Sequence, residues 1–259
     1  MRTKERQTKM SVDKNKVLAQ LQQRENIYVI YSKCTRMPFV MCDSETYDDE
    51  IFIFFDQKDG DEEAKRLVTS GNPVQMVKIE KKSFLPFYSG LYPLGVNCLV
   101  VNKGTDAEIA IQLEALVRRP ENQKLPEGTV RIENREFHLT ALYFMQELRR
   151  KPHNELTEML KELQEELLTH YSEGTFILAV REDKGIAIMK QKDGKTLLPI
   201  FTDVQEFQKF QAMNQNTKFG TAIAKPEKIV GFLPKDAAGV LVNPIGVNLP
   251  LKIGRPAQA

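Results

Sequence analysis

Leu197-Leu198-Pro199-Ile200-Phe201-Thr202-Asp203-Val204-Gln205-Glu206-Phe207 decides the fold. Five apolar residues in succession suit a strand covered on both faces. Asp203, with Glu206 three positions on, has the spacing of a helix-capping box. Val204, Phe207, Phe210 and Met213 then recur at helical spacing and predict one buried helix face. An earlier stretch repeats the plan: Ile51 to Phe55 is an apolar run, and Asp59 with Glu62 predicts a capped helix carrying Ala64, Leu67 and Val68. Aligning Phe55 with Phe201 gives an offset of 146 residues, at which the order of elements matches between the two halves although identities are few.

Working outward, Asp13 to Gln23 reads as a helix and Ile27 to Tyr31 as the first strand, with a short second strand after Pro38 that ends at Cys42. Val74 to Ile79 and Cys98 to Val101 are further strands. Asp106 to Val117 reads as a short strand to Ile111 followed by a helical turn. Ser83 to Gly95 is dense in aromatic and aliphatic residues but broken by Pro86, Gly90 and Pro93, so a long helix is not expected. Its side chains suit packing on a sheet or lining a pocket. Thr129 to Ile132 and Glu136 to Leu139 flank Asn134 as a hairpin would. Helical periodicity follows from Thr140, and Asn154 is placed to cap a second helix with the stripe Leu156, Met159, Leu160, Leu163, Leu167 and Tyr171. Its other face, Glu155 to Glu166, is acidic.

In the second half, Thr175 to Val180 and Gly185 to Met189 form a hairpin, and Asp193-Gly194 marks a tight turn into Leu197. Phe219 to Ala224, Gly239 to Val242 and Leu249 to Ile253 complete the strands, the last at an edge. Pro199 within a strand implies an edge or a bulge there. The expected fold is therefore α+β, or mixed α/β. It has two related modules, each a mixed sheet with helices packed on it, joined by a helical segment. The divisions fall at 1–25 (basic tail and helix), 26–119, 120–172 (linker, hairpin and two helices) and 173–259.

Composition narrows function mostly by exclusion. Of 259 residues, 37 are Lys or Arg and 35 Asp or Glu, a net +2 that gives no general field for nucleic acid. No apolar run is long enough to span a bilayer, and the basic start leads into no apolar segment of a secretory signal, which points to the cytoplasm. Cys34, Cys42 and Cys98 show no CxxC; Cys42 and Cys98 read as small buried hydrophobes. Cys34 has basic neighbours, Lys33 and Arg36, of the kind that lower a thiol pKa, but it reads first as a turn thiol. No nucleotide-binding glycine motif, nucleophile elbow or HExxH is present, and His138, His153 and His170 stand apart from any supporting serine or cysteine. The sequence calls for no catalytic residue, cofactor or metal, and it names no partner. A protein partner or a second copy of the chain is compatible with it; a membrane is not.

Two motifs carry a resemblance. Leu198-Pro199-Ile200-Phe201-Thr202-Asp203 is similar to the "LPvFTs/d" signature of the SseB (enhanced serine sensitivity protein) family, and Ala238-Gly239-Val240-Leu241-Val242-Asn243-Pro244 with Gly246 to its "GvvvNP.g" strand end. In the first half Phe54-Phe55-Asp56 replaces Phe-Thr, and Asn102-Lys103-Gly104 stands where Asn-Pro is expected. Membership implies a cytosolic bacterial α/β protein and brings no agreed catalytic residues. Thr202, Asp203, Asn243, Pro244 and Gly246 are the candidate surface for a ligand or partner. Capping and strand termination explain the same residues, while a helix N-terminus after a strand also suits an anion. The expected function is a non-enzymatic binding or regulatory module. The alternative is an enzyme or sensor acting on a small polar metabolite such as an amino-acid derivative, with a polar pocket beside Thr202, Asp203 and Asn243.

Overall fold

The structure is a computed structural model that describes residues 12–118, 130–151, 155–183, 185–191 and 193–253. Its first half contains helix α1 (Lys14–Gln23), strands β1 (Asn26–Ser32), β2 (Met41–Cys42) and β3 (Asp49–Phe54), helix α2 (Gln57–Thr69), β4 (Val74–Glu80), α3 (Phe84–Leu91), β5 (Cys98–Val101), β6 (Ile109–Gln112) and the single turn α4 (Leu113–Leu116). Helices α5 (Arg135–Arg150) and α6 (Glu158–Glu173) follow. The second half runs β7 (Phe176–Val180), β8 (Met189–Lys190), β9 (Thr196–Phe201), α7 (Val204–Met213), β10 (Gly220–Ala224), α8 (Pro226–Phe232), β11 (Ala237–Val242) and β12 (Leu249–Leu251).

The strands form two six-stranded sheets with the same wiring. One has the order β4-β1-β3-β5-β6 with β2 beside β3; the other has β10-β7-β9-β11-β12 with β8 beside β9. In each sheet only the central pair is parallel, β3 with β5 and β9 with β11. A parallel pair needs a crossover. Here it is supplied by α2-β4-α3 in the first sheet and α7-β10-α8 in the second. The two modules are thus alike, but the offset is 147. Ile53 pairs with Val101 where Ile200 pairs with Val242, so Phe54, Phe55 and Asp56 fall on Phe201, Thr202 and Asp203.

The apolar runs of β3 and β9 are explained by burial on both faces. Ile51 and Ile53 join Leu198 and Ile200 in one central core with α5 and α6, whereas Phe52 and Phe54 face α2 and Phe201 faces Phe207 and Phe210 of α7. The two sheets therefore share a core through the helical segment.

Several local expectations are corrected. Asn134 does not turn a hairpin, because Glu136 to Leu139 already lie in α5, where Phe137, Ala141 and Leu142 bury one face. Asp56, not Asp59, caps α2 by accepting from the Lys58 N–H at 2.8 Å. Thr157 caps α6, accepting from Leu160, and Asn154 lies outside the described residues. Met159 in the α6 stripe is exposed, as are Val204 and Met213 of α7, so both buried faces are narrower than the periodicity predicts. Pro199 is not on an edge strand: β9 is central, and Pro199 sits where its antiparallel neighbour changes from β8 (at Leu197) to β7 (at Ile200). A residue without an N–H is tolerated there because that side of the ladder is interrupted. The facing strand β11 carries an irregularity between Ala237 and Gly239. Cys98 is buried, with its thiol pushed up to about 12, burial being the main cause. Cys42, by contrast, is exposed.

Candidate functional site

The site begins where the parallel pair of each sheet ends. Asn243 follows β11 in the left-handed region (φ 44°), a conformation that asparagine tolerates better than most residues. This turns its amide back so that Oδ1 accepts from the Thr202 N–H at 3.0 Å, while the Asn243 N–H donates to the Ile200 carbonyl at 2.9 Å. The first module uses the same device. Asn102 (φ 54°) accepts from the Phe55 N–H at 3.1 Å and donates to Ile53 O at 2.8 Å. Asparagine ties the two parallel strand ends together in both halves, so at this level its role is structural.

The modules differ in what meets the tie. In the first, Phe55 stands at the position of Thr202, and the Arg24 guanidinium lies over its ring at 5.0 Å. In the second, α5 brings His138 against Thr202, Asp203 and Asn243, all buried. His138 Nδ1 lies 3.1 Å from Thr202 Oγ1 and 3.4 Å from Asp203 Oδ2; its Nε2 lies 3.2 Å from Asn243 Nδ2. The Thr202 hydroxyl donates to Asp203 Oδ2 at 2.7 Å and accepts from Asn243 Nδ2 at 2.8 Å. Since Asn243 Oδ1 is held by the Thr202 N–H, its amide nitrogen faces His138, and Nε2 must accept. The partners thus assign the neutral imidazole with the proton on Nδ1.

Asp203 also caps α7, accepting with Oδ1 from the Gln205 and Glu206 N–H groups at 2.9 and 3.0 Å. Burial pushes its carboxyl up, but the hydrogen bonds it receives from His138, Thr202 and the Glu206 N–H outweigh it and hold it below its ordinary value. Asn134, four residues before His138 on α5, donates to the carbonyls of Thr202 (2.7 Å) and Thr175 (2.8 Å) and accepts from the Thr175 N–H (2.9 Å). It locks the start of α5 to the sheet. Every polar atom of Thr202 and Asn243 named here is spent on a neighbour. The arrangement resembles a nucleophile–histidine–carboxylate set only in its residue types, because the hydroxyl is buried and its proton goes to the carboxylate, not to the imidazole.

Beside this network a cleft of about 790 Å³ lies between the modules. Its apolar wall comes from the segment that prolines and glycine break up: Phe87, Leu91, Pro93 and Leu94 line it, Leu91 and Leu94 being also part of the core that holds Phe84 and Tyr88. The opposite wall is α7 and the turn after β11, with Asp203, Glu206, Lys209 and Gly246. Of the five candidate residues, Asp203 and Gly246 reach the cleft; Thr202, Asn243 and Pro244 stand behind it. Glu206 is 2% exposed. Its Oε1 pairs with Lys209, and its Oε2 is buried with no hydrogen-bond partner. It does not close a capping box. Gly246 explains how it fits, since a Cβ there would collide with Glu206 Oε2.

The sequence set His138 apart from any supporting group and offered Asn134 only as a turn residue and Glu206 only as a capping-box partner. The available signal was a histidine on the apolar face of Phe137, Ala141 and Leu142, four residues after an asparagine. The Cys34 thiol lies in a turn and is raised, burial outweighing the Ser32 hydrogen bond and the charges of Arg149 and Arg150. Among the described residues no cluster of three or more His, Cys, Asp or Glu is disposed to hold a metal, and no helix is long and apolar enough to cross a membrane.

Fold and site define a two-module α+β protein with a cleft between its modules. No protein-family model and no curated protein matches the sequence. Two solved structures are similar to it. One is Tic22 from Plasmodium falciparum, with 14% identity over 86% of this chain and 90% of that one and a TM-score of 0.22. The other is Anabaena Tic22, described as a protein of protein transport, with 9% identity over 89% and 93% and a TM-score of 0.22. Superpositions that loose carry no argument about what this chain does.

Proposed function

We propose that the chain is a non-enzymatic binding or regulatory module of the SseB type, working in the cytoplasm, and that it receives a small ligand in the cleft between its two sheets. The observation that carries this reading is the cleft itself. Its volume falls within the range of about 300–1,000 Å³ usual for small-molecule sites, and its two walls are chemically unlike, apolar on one side and polar on the other. The SseB assignment rests on the paired motifs at Leu198–Asp203 and Ala238–Gly246, and the compartment on three unpaired thiols that suit reducing conditions. A hydrolytic or transfer role is disfavoured by the closed bonding of Thr202, His138 and Asp203, in which the Thr202 hydroxyl gives its proton to the carboxylate and not to the imidazole.

A thermal-shift panel of small metabolites tests the reading, run on the wild type and on Gln208→Trp, which fills the cleft from an exposed position on α7. Ligands that raise the melting temperature of the wild type should lose that effect in the variant. Stabilisation that survives Gln208→Trp, or turnover of any panel compound by the purified protein, overturns it.

A further inference from the structure

Glu206 is the group in the cleft wall that its own structure leaves unfinished. An unpaired buried carboxylate oxygen is costly, since it has given up water without gaining a donor. The Asp203 carboxylate beside it is fully used, by two backbone N–H groups on one oxygen and by Thr202 and His138 on the other. Lys209 satisfies Oε1 of Glu206 alone, and its side chain is 44% exposed, so this long chain can withdraw to water. Gly246 keeps the space at Oε2 free of a side chain. Across the cleft stand Phe87, Leu91 and Leu94, with no anion among them. Arg36 is the other cation on the lining, exposed at its edge.

We propose that the ligand of this cleft carries a protonated amine on an apolar body, the ammonium bonding Glu206 Oε2 and the body lying against Phe87 and Leu91. This rests on the cleft being a ligand site, as argued above, and adds the chemical class of the ligand. A charged N–H donor is favoured over a hydroxyl because both can bond the carboxylate, but only the ammonium adds the attraction of opposite charges. An anionic head is disfavoured because it would meet Glu206 and Asp203 together.

The test is titration of the full chain with 2-phenylethylamine, 2-phenylethanol and 3-phenylpropionate. The amide resonances of Gly90 and Gly246, one on each wall, report binding. The amine should bind about tenfold more tightly than the alcohol, and the carboxylate more weakly still. Glu206→Gln should remove the advantage of the amine. Lys209→Gln changes a half-exposed residue and frees the second oxygen, so it should tighten amine binding several-fold and keeps the test decisive if Glu206→Gln fails to fold. Equal binding of all three probes, preference for the anion, or amine binding unchanged or weakened by Lys209→Gln overturns the amine inference and leaves the cleft as a ligand site. If no probe moves either glycine up to millimolar concentration, the cleft reading itself falls, and the amine inference with it.

Discussion

Asn243 and Asn102 make the same backbone tie in two modules, and comparing their replacement by alanine isolates what the buried network adds. In Asn102→Ala the Phe55 N–H, partly buried, loses its acceptor, a change worth about 1 kcal/mol. Alanine in the left-handed region adds about 1 kcal/mol more. In Asn243→Ala the backbone term is the same, but two fully buried groups are orphaned, the Thr202 N–H and His138 Nε2. Each costs about 1–3 kcal/mol once it has no partner and no water. Asn243→Ala should therefore cost about 5 kcal/mol and Asn102→Ala about 2 kcal/mol. Glycine at either position should recover about 1 kcal/mol by relieving the backbone.

Urea unfolding, followed by circular dichroism and by tyrosine emission (the chain has seven tyrosines and no tryptophan), measures both. Midpoints should shift with an unchanged slope. Because Ile51, Ile53, Leu198 and Ile200 belong to one core, wild type should unfold in a single transition. Equal costs at the two asparagines would refute the view that His138 and Thr202 depend on Asn243. Two separated transitions would refute the shared core.

Two further outcomes follow from the geometry. Arg149 donates to the carbonyls of Cys34 (2.9 Å), Val247 (3.1 Å) and Asn248 (2.7 Å), joining loops of both halves. Arg149→Met should cost about 2 kcal/mol and speed hydrogen exchange at the Met37 and Asn248 amides; unchanged exchange at both would remove its bridging role. The Asp203 carboxyl titrates below its ordinary value of 3.8 in the fold. Its stabilisation is thus fully present above that value and is lost as pH falls through the lower folded value. Asp203→Asn should be less stable than wild type at neutral pH, and the gap should narrow below pH 3.8; a gap constant down to the acid limit would show that the charge of Asp203 contributes nothing.

Periodicity and local chemistry were enough to place most elements. The doubly buried runs at Ile51–Phe54 and Leu197–Phe201, the cap at Asp203 and the strand-then-turn at Asp106–Val117 were all legible, because each depends on neighbours within a few residues. Errors arose where tertiary context overrode a local signal. Asn134 looks like a turn residue because asparagine often is one, yet its side chain is taken up by the Thr175 and Thr202 backbone and α5 begins at once. Val204 and Met213 keep helical spacing but lie beyond the strip of sheet that α7 covers.

The sequence by itself determined that there are two like modules and that Thr202, Asp203 and Asn243 matter at the junction of strand and helix. It could do so because capping and strand ending are local events with residue-specific donors and acceptors. Tertiary structure alone decided that His138, 64 residues before Thr202, completes that junction. The same holds for the cleft, which opens between Phe87 and Glu206, and for the missing partner of Glu206 Oε2. A free carboxylate oxygen is defined by what surrounds it, and those surroundings are assembled only when the two sheets close on their shared helices.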